Sequence, residues 1–362
     1  ADFTFVNCSL QELDIDRKTK KSNKTRKKKL KRKSSASQNE ERGSERSKVK
    51  KLSSEKGRDY TVSIALPGSI LSNAQSLELR TYLAGQIARA LVVFNIDEVI
   101  VFSESCQSAA SMDARFRGAG KKSDPNILLG RILQYLECPQ YLRKSFFPKH
   151  PDLQYAGLLN PLDCPHHMRA TDRLPFREGV VVNRPVKDGH GSLVNVGIQK
   201  EVSIDKRLKP GTRVTVKLAY KDKQDTDVDN ACVVPPSQPR TEEGLYWGYT
   251  VRLAHTFSSV FTQSPYEHGY DVTVGTSERG TSVDEIVLPK FRHLLIVFGG
   301  LQGLEASLES DESLNAMDPS TLFHHYLNTC PGQGSRTIRT EEALLITMAA
   351  LRPHIKLANQ NR

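Results

Sequence analysis

The chain has 362 residues, 38% of them hydrophobic, and carries a formal net charge of +11 at pH 7. This length and apolar content suffice for two or three domains with a filled core, which excludes a small fold held together by disulfides. Residues 1–58 hold 19 Lys and Arg against 8 Asp and Glu, whereas residues 59–362 hold 33 of each sign. The body is therefore formally neutral, so its contacts with a polyanion must come from a local patch.

The six cysteines, at positions 8, 106, 138, 164, 232 and 330, form no CxxC pair. This spacing predicts neither a zinc framework nor a disulfide scaffold, and it indicates a reducing compartment. No stretch approaches 18 consecutive apolar residues, and the first residues lack an apolar leader. We therefore expect an intracellular protein without a membrane span or a signal peptide.

The first 58 residues are predicted to form a disordered basic tail. Residues 17–33 carry 12 positive side chains and no acid, and few apolar side chains follow. Such a segment cannot bury enough apolar surface to offset the entropy of ordering. A merely solubilising role is the simplest interpretation, but nuclear import through residues 27–33 together with RNA contact is favoured.

An α/β pattern begins at Tyr60. Residues 61–66 and 99–102 are predicted strands, and each precedes a helical pattern. In the first helix Leu79, Leu83 and Ile87 recur every four residues, and the second helix is apolar over 128–136. Alternating strands and helices indicate a mostly parallel sheet, so residues 59–171 are interpreted as the first segment of an α/β domain.

Residues 172–249 are predicted to form an inserted OB-like β domain. Short β-rich runs begin at Gly179, Ser192 and Arg213, and turn-forming dipeptides separate them. We expect a small barrel that selects the RNA. Its basic residues are opposed by nearby acids, so any binding patch is local; they are Arg184, Lys187, Lys200, Lys206, Arg207, Lys209, Arg213 and Lys217. The α/β pattern then resumes over residues 250–362 and ends in a helix at 341–351.

Three glycine-bearing segments lie in the last third of the chain. They are GTSERG at 275–280, FGGLQGLE at 298–305, and NTCPGQGSRTIRTEEA at 328–343. The first two follow predicted strands, and the third precedes a helix for which Thr340 is a candidate N-cap. A glycine pair after a strand is often only a tight turn. Three such segments in succession instead predict a ligand site at the carboxyl ends of the strands.

Two common nucleotide-binding classes are excluded. The chain contains no GxxxxGK[ST] motif and no GxGxxG motif near the start of the α/β pattern. Glu341 and Glu342 occupy the first turn of the last helix, where they would repel a phosphate group. A P-loop NTPase and a Rossmann-type dehydrogenase or methyltransferase are therefore not expected.

Eight strings carry a family resemblance: YTVSIALPGSIL, ELRTYLAGQIARA, RILQYLECPQYLRK, LNPLD, GLYWGYTVRLA, GTSERG, FGGLQGLE and NTCPGQGSRTIRTEEA. Over residues 60–351 the chain resembles the SPOUT-domain RNA methyltransferases, in particular the animal centromere-associated branch. The resemblance implies a trefoil-knotted parallel sheet with an inserted OB-like barrel. It also implies S-adenosyl-L-methionine as cofactor, a homodimer, and RNA as substrate, with uridine N3 of ribosomal RNA as the target.

The resemblance also assigns site residues, because the three glycine-bearing segments match those that hold the cofactor in this family. The implied cofactor-binding residues are Thr276, Arg279, Gly299, Gly300, Leu301, Asn328, Gln333, Ser335, Thr337 and Ile338. Either Arg279 or Arg339 could stabilise negative charge on a uracil oxygen or bind phosphate, and Arg279 is the candidate catalytic residue. The plain alternative is that Arg279 and Arg339 pair with Glu278 or Glu342.

Two other functions remain open from the sequence. The same fold could methylate the ribose 2′-oxygen, or the chain could be a spindle or kinetochore binding protein that keeps its cofactor pocket. The basic tail and the family favour a nuclear, and within it nucleolar, location, with spindle or centromere association in mitosis.

Several other polar or aromatic residues have a plain structural interpretation. Cys164, His166 and His167 are close in sequence, but no second ligand pair stands at metal spacing, so a metal is not expected. His324 and His325 are interpreted as surface or packing residues on a helix or turn. Trp247 could stack on an RNA base, but burial between insert and core is favoured.

Overall fold

A computed structural model describes residues 57–104, 124–186, 190–220, 228, 230–314 and 318–360. The predicted tail, up to residue 56, lies outside the described residues. Arg58 belongs to the folded part, where its guanidinium is 2.6 Å from the Asp97 carboxylate. Within these ranges, no helix combines the length and the apolarity that crossing a bilayer would require.

Two sheets are built from eleven strands of the described chain. Their bounds are β1 Thr61–Pro67, β2 Glu98–Phe102, β3 Phe176–Val181, β4 Leu193–Asn195, β5 Val202–Ile204, β6 Arg213–Leu218, β7 Asn230–Val234, β8 Thr250–Ala254, β9 Val272–Ser282, β10 His293–Val297 and β11 His325–Asn328. The first sheet has the order β11-β9-β10-β1-β2-β8, and all its pairs are parallel. Its central strands are buried on both faces, as helix-covered parallel strands should be.

Seven α-helices accompany these strands in the described residues. They are α1 Leu77–Val93, α2 Pro125–Glu137, α3 Gln140–Phe146, α4 Gln238–Glu243, α5 Ser258–Thr262, α6 Gly303–Glu309 and α7 Thr340–Gln360. Helix α1 begins where the Ser76 hydroxyl accepts the Leu79 amide at 3.3 Å. Helix α2 begins with Asp124 as N-cap and Pro125 in its first turn. Proline is tolerated there because the amide hydrogens of the first turn have no partner inside the helix.

The predicted core face of α1 is partly wrong. Ile87 is buried, but Leu79 is 56% exposed, and small residues such as Ala84 and Ala88 fill the buried face instead. Leu79 and Ile87 are eight residues apart, about 80° around a helix of 3.6 residues per turn, so Leu79 lies at the edge of the buried face.

The inserted strands close into a barrel of order β3-β4-β5-β7-β6. Apolar side chains from these strands form a core of their own. In the chain the barrel strands follow α3 and precede β8, so they interrupt the parallel sheet between β2 and β8. The predicted α/β fold with an inserted small barrel is confirmed, and the trefoil knot stays a prediction.

A buried polar cluster joins the barrel to α2. Arg213 on β6 donates to the Glu137 carboxylate at 2.7 Å and to Glu178 on β3 at 2.8 Å. The Trp247 indole donates to Glu178 at 2.6 Å. Burial alone would raise the pKa of Glu137, but Arg213 and His166 hold that pKa well below its ordinary value. Arg213, predicted as an RNA contact, is therefore occupied by internal pairing.

The N-cap prediction for the last helix is wrong. The Arg339 carbonyl accepts the first helical bond, from Ala343 at 2.7 Å, so Arg339 is the cap and Thr340 lies inside the helix. Glu342 accepts the Arg339 amide at 3.0 Å, as the glutamate of a capping box does. This frees the Thr340 hydroxyl, which donates to the Gly299 carbonyl at 3.3 Å.

Candidate functional site

The three glycine-bearing segments meet at one edge of the parallel sheet. Strands β11, β9 and β10 are neighbours, and because they are parallel their carboxyl ends point the same way. The segment after β10 and the segment after β11 therefore lie beside the far part of β9. This is the edge at which open α/β sheets bind ligands.

GTSERG lies inside β9, although a loop after the strand was predicted. The pairing of β9 with β11 jumps from Gly275 opposite Tyr326 to Thr281 opposite Leu327. Residues 276–280 therefore protrude as a large bulge. A Cβ at Gly280 would lie 2.5 Å from the Leu327 carbonyl carbon, so this close return of the backbone requires glycine.

Three side-chain contacts tie the bulge to its neighbours. The Thr276 hydroxyl donates to the Val297 carbonyl at the end of β10, at 3.0 Å. The Asn328 amide at the end of β11 donates to the Glu278 carbonyl at 3.0 Å. Arg279 lies 3.4 Å from Glu305 on α6. The first and last predicted segments thus contact each other and frame the middle one.

The segment after β11 is organised by its own polar side chains. Asn328 accepts the Cys330 amide at 3.0 Å, and the Gln333 amide donates to the Ser335 carbonyl at 3.0 Å. The Ser335 hydroxyl donates to the Thr337 carbonyl at 2.8 Å. These side chains shape the loop, and the next residue, Ile338, is half-buried before the helix starts.

The turn after β10 is closely packed at two glycines. A Cβ at Gly299 would lie 2.6 Å from the Gly303 carbonyl carbon, because the turn folds back on itself. A Cβ at Gly300 would collide with the Glu104 carboxylate. Leu301, predicted as a cofactor contact, is 81% exposed at the tip of this turn. All ten predicted site residues lie on these three segments.

Glu104 and Ser69 also belong to this edge, and sequence reasoning did not single them out. Glu104 follows β2, and its carboxylate lies against Gly300 while accepting a hydrogen bond from the Ser69 hydroxyl after β1. Both residues follow predicted strands, so a search for polar residues directly after each strand would have found them. A half-buried carboxylate is thereby placed beside the central glycine turn.

Arg279 extends into solvent with 75% of its side chain exposed. Its partner is Glu305 on α6. The two acids considered from the sequence, Glu278 and Glu342, do not pair with it in this way. An exposed pair at 3.4 Å is worth about 0–1 kcal/mol, so the guanidinium can leave it at little cost to contact a ligand. The catalytic role of Arg279 stays a prediction.

The histidine pair before Asn328 lies at the surface, as expected, although it leads into a strand and not a helix, with His324 exposed and His325 half-buried. His325 begins β11, and the ring of His324 lies 2.9 Å from the Thr273 hydroxyl. Trp247 is only 9% exposed and packs against Phe176 and His166, which confirms its interpretation as a buried residue between insert and core.

The potential ligand atoms of Cys164, His166 and His167 lie within 4.8 Å of one another. The Nε2 atoms of the two histidines are 2.9 and 2.7 Å from the Glu137 carbonyl oxygen. Burial raises the pKa of the Cys164 thiol to about 12 and lowers the pKa of His167 to about 4. The two groups are therefore neutral at pH 7, and both rings fasten this loop to the end of α2.

Comparisons with known proteins agree with this geometry. Residues 61–351 match the profile of the family described as "Putative RNA methyltransferase". A 28S rRNA (uridine-N(3))-methyltransferase of Homo sapiens is 62% identical over 299 residues, covering 83% of this chain and 80% of that protein. The Mus musculus protein of the same name is 62% identical over 300 residues, covering 83% and 78%.

Among solved structures, the SpoU methyltransferase AviRb of Streptomyces viridochromogenes, in complex with AdoMet, aligns with a TM-score of 0.30 and 12% identity. The alignment covers 82% of this chain and 58% of that one, and its score is too low to inform the fold. The profile match and the two mammalian relatives each span most of the chain, so they establish its family. The chain therefore belongs to this family of RNA methyltransferases.

Proposed function

We propose that the chain transfers a methyl group from S-adenosylmethionine to N3 of a uridine in ribosomal RNA. The observation that carries the proposal is the meeting of the three glycine-bearing segments at the carboxyl edge of the sheet. The names of the human and mouse relatives supply the target atom and the RNA class.

The chemistry of the donor groups at this edge suits the cofactor. Its side chains are mostly amides and hydroxyls, which can bond the polar edge of adenine and the ribose hydroxyls. The residues that would hold the cofactor are Thr276, Arg279, Gly299, Gly300, Leu301, Asn328, Gln333, Ser335, Thr337 and Ile338.

N3 of uridine carries a proton that must leave before the nitrogen lone pair can attack a methyl carbon. We assign the acceptor role to Glu104, whose carboxylate lies against the Gly300 turn. Ser69 donates to one carboxylate oxygen, which orients the group and leaves the other oxygen to take the proton. Arg279 would stabilise the negative charge on the uracil oxygen. Bound S-adenosylmethionine supplies the methyl group on a positively charged sulfur, a good leaving group.

The predicted homodimer is part of the proposal. Helices α1 and α7 pack against each other and expose large apolar side chains. Leu79 and Tyr82 on α1 are 56% and 47% exposed, and Leu345 and Leu357 on α7 are 47% and 58% exposed. Burying such a surface against a second copy would remove apolar area from water.

The proposed cellular setting follows from the substrate and the tail. The basic block at residues 27–33 supports nuclear import, and a ribosomal RNA substrate suits the nucleolus. Spindle, centromere or kinetochore association stays a prediction without support from the geometry.

The test is methylation of a 28S rRNA fragment by the purified chain, followed by mass spectrometry of the nucleosides. We expect 3-methyluridine, with product formation at least 100-fold slower for Glu104→Gln and unchanged cofactor affinity by calorimetry. Glu309→Gln, an exposed acid on α6, is the matched control. Finding only a 2′-O-methylated nucleoside would establish the ribose alternative, and the absence of both cofactor binding and product would favour a binding protein.

A further inference from the structure

A shallow cleft beside α2 and α3 is the second candidate site on this chain. Its volume is about 460 Å³, within the range of roughly 300–1,000 Å³ typical of small-ligand sites. Half-buried aromatic rings and prolines line it, with a lysine at its margin; the lining residues are Tyr135, Phe147, Pro148, Lys149, His150, Pro151, Leu153, Gln154 and Ala156. We propose that this cleft binds an unpaired nucleotide of the RNA substrate.

The barrel offers less free positive charge than its sequence suggests. Arg213 is bonded to Glu137 and Glu178. Lys217 lies 2.8 Å from Glu242, and Arg184 lies 3.2 Å from Glu201. Because the body as a whole is formally neutral, RNA contact outside the tail depends on local basic patches, and a second one lies outside the barrel.

That patch adjoins the cleft. Arg143, Lys144 and Lys149 follow one another along α3 and the segment after it, and both lysines are exposed. Asp152 is the only acid between residues 138 and 160, and it is buried and bonded to Arg131. This segment therefore contributes exposed cations and no exposed acid to the surface, which complements a phosphate backbone.

The apolar part of the cleft suits a base. The Tyr135 and Phe147 rings meet edge to face at 5.4 Å, and the Arg143 guanidinium lies 4.4 Å from the centre of the Tyr135 ring. Single-stranded RNA is commonly bound by aromatic rings that stack on bases, with cations on the phosphates. An acidic peptide would use the cations but gain little from the rings, so RNA is the better occupant.

The cleft is separate from the methylation site. The Gly68 amide at the carboxyl edge of the sheet bonds Asn126 in the first turn of α2, whereas Tyr135 lies in its last turn. Nine residues of helix span roughly 14 Å at about 1.5 Å per residue. The bound nucleotide is therefore a flanking one, and the proposal rests on the function proposed above. The barrel lies next to the cleft, since Tyr141 on α3 donates to the Glu178 carbonyl at 2.8 Å.

The test measures binding of a fluorescent single-stranded fragment of 28S rRNA to the full chain, at about 0.2 M salt to weaken nonspecific contacts. Lys144→Glu with Lys149→Glu should raise the Kd at least tenfold. The matched control, Lys290→Glu with Arg292→Glu, changes two exposed cations just before β10 and should change the Kd less than twofold. Phe147→Leu keeps an apolar side chain in the cleft but removes the ring on which a base could stack. It should raise the Kd about fivefold or more.

Cofactor affinity, measured on the same proteins, separates this proposal from the function it rests on. We expect unchanged binding of S-adenosylmethionine in every variant. If the cleft variants bind RNA as tightly as the parent chain, the cleft proposal is overturned while methylation of RNA stands. If the lysine variants lose RNA and polyglutamate equally and Phe147→Leu has no effect, the cleft is a general anion site and base binding is overturned.

Discussion

Gly300 lies in the turn after β10, directly against Glu104, the proposed proton acceptor. A methyl group at this position would collide with the Glu104 carboxylate, so either the turn or the carboxylate must move. We expect Gly300→Ala to weaken cofactor binding about tenfold, equivalent to about 1.4 kcal/mol, measured by calorimetry.

Gly334→Ala is the control for this substitution. Nothing lies within 4 Å of a Cβ at Gly334, so the added methyl group should leave affinity within about twofold. An equal drop in affinity in the two variants would mean that general loop stiffness, and not contact with Glu104, explains the effect.

At the scale of elements, the junction between β6, β3 and α2 carries a prediction on stability. Arg213→Ala would leave the buried carboxylates of Glu137 and Glu178 without their shared cation. Removing one partner of a buried pair costs about 3–5 kcal/mol, and the side chain of Arg213 is 33% exposed, so we expect about 3 kcal/mol. Denaturant unfolding at pH 7 measures this, with exposed Lys209→Ala as control.

The pH dependence of that difference has a defined sign. In the parent chain the pKa of Glu137 is lowered, so its contribution to stability is present above the ordinary carboxyl pKa and is lost as pH falls below it. Without Arg213, burial should raise the pKa of Glu137, so this carboxylate takes up a proton and the variant recovers stability toward pH 5. The stability difference should therefore shrink from pH 7 to pH 5, and a constant difference would contradict this account.

At the scale of the whole molecule, the basic tail should add affinity for RNA without specificity. Deletion of residues 1–56 spares Arg58, which pairs with Asp97, and removes nearly all the excess charge. For every phosphate that the tail neutralises, its deletion should reduce the slope of log affinity against log salt by about 0.7–0.9. A binding titration at several salt concentrations measures the slope. An unchanged slope would mean that the tail does not contact RNA and that nuclear import is its remaining proposed role.

Assembly is the second property of the whole molecule that can be tested. Leu79→Glu combined with Leu345→Glu places charges on the exposed apolar surfaces of α1 and α7, and should convert the proposed dimer to monomer. Light scattering after size exclusion measures the mass. Val287→Glu is the control, because Val287 is 79% exposed and lies outside α1 and α7. It should leave the measured mass equal to that of the parent protein. A monomeric parent chain would rule the dimer out.

The parallel α/β pattern, the inserted barrel and the three glycine-bearing segments could all be predicted from the amino-acid sequence. Strands such as 61–66 are encoded by short local patterns, and parallel strands necessarily gather their carboxyl ends at one edge. Family membership was likewise readable, because continuous strings such as GTSERG and FGGLQGLE carry it.

The contacts between residues distant in sequence became visible only in the folded chain. The bulge of β9 depends on its register with β11, and the pairing of Arg213 depends on acids 35 and 76 residues away in sequence. Glu104 gained its proposed role because β1 and β10 are adjacent strands, which brings the turns after β1, β2 and β10 together. Contacts of this kind arise between segments far apart in the chain, so no local pattern of residues records them.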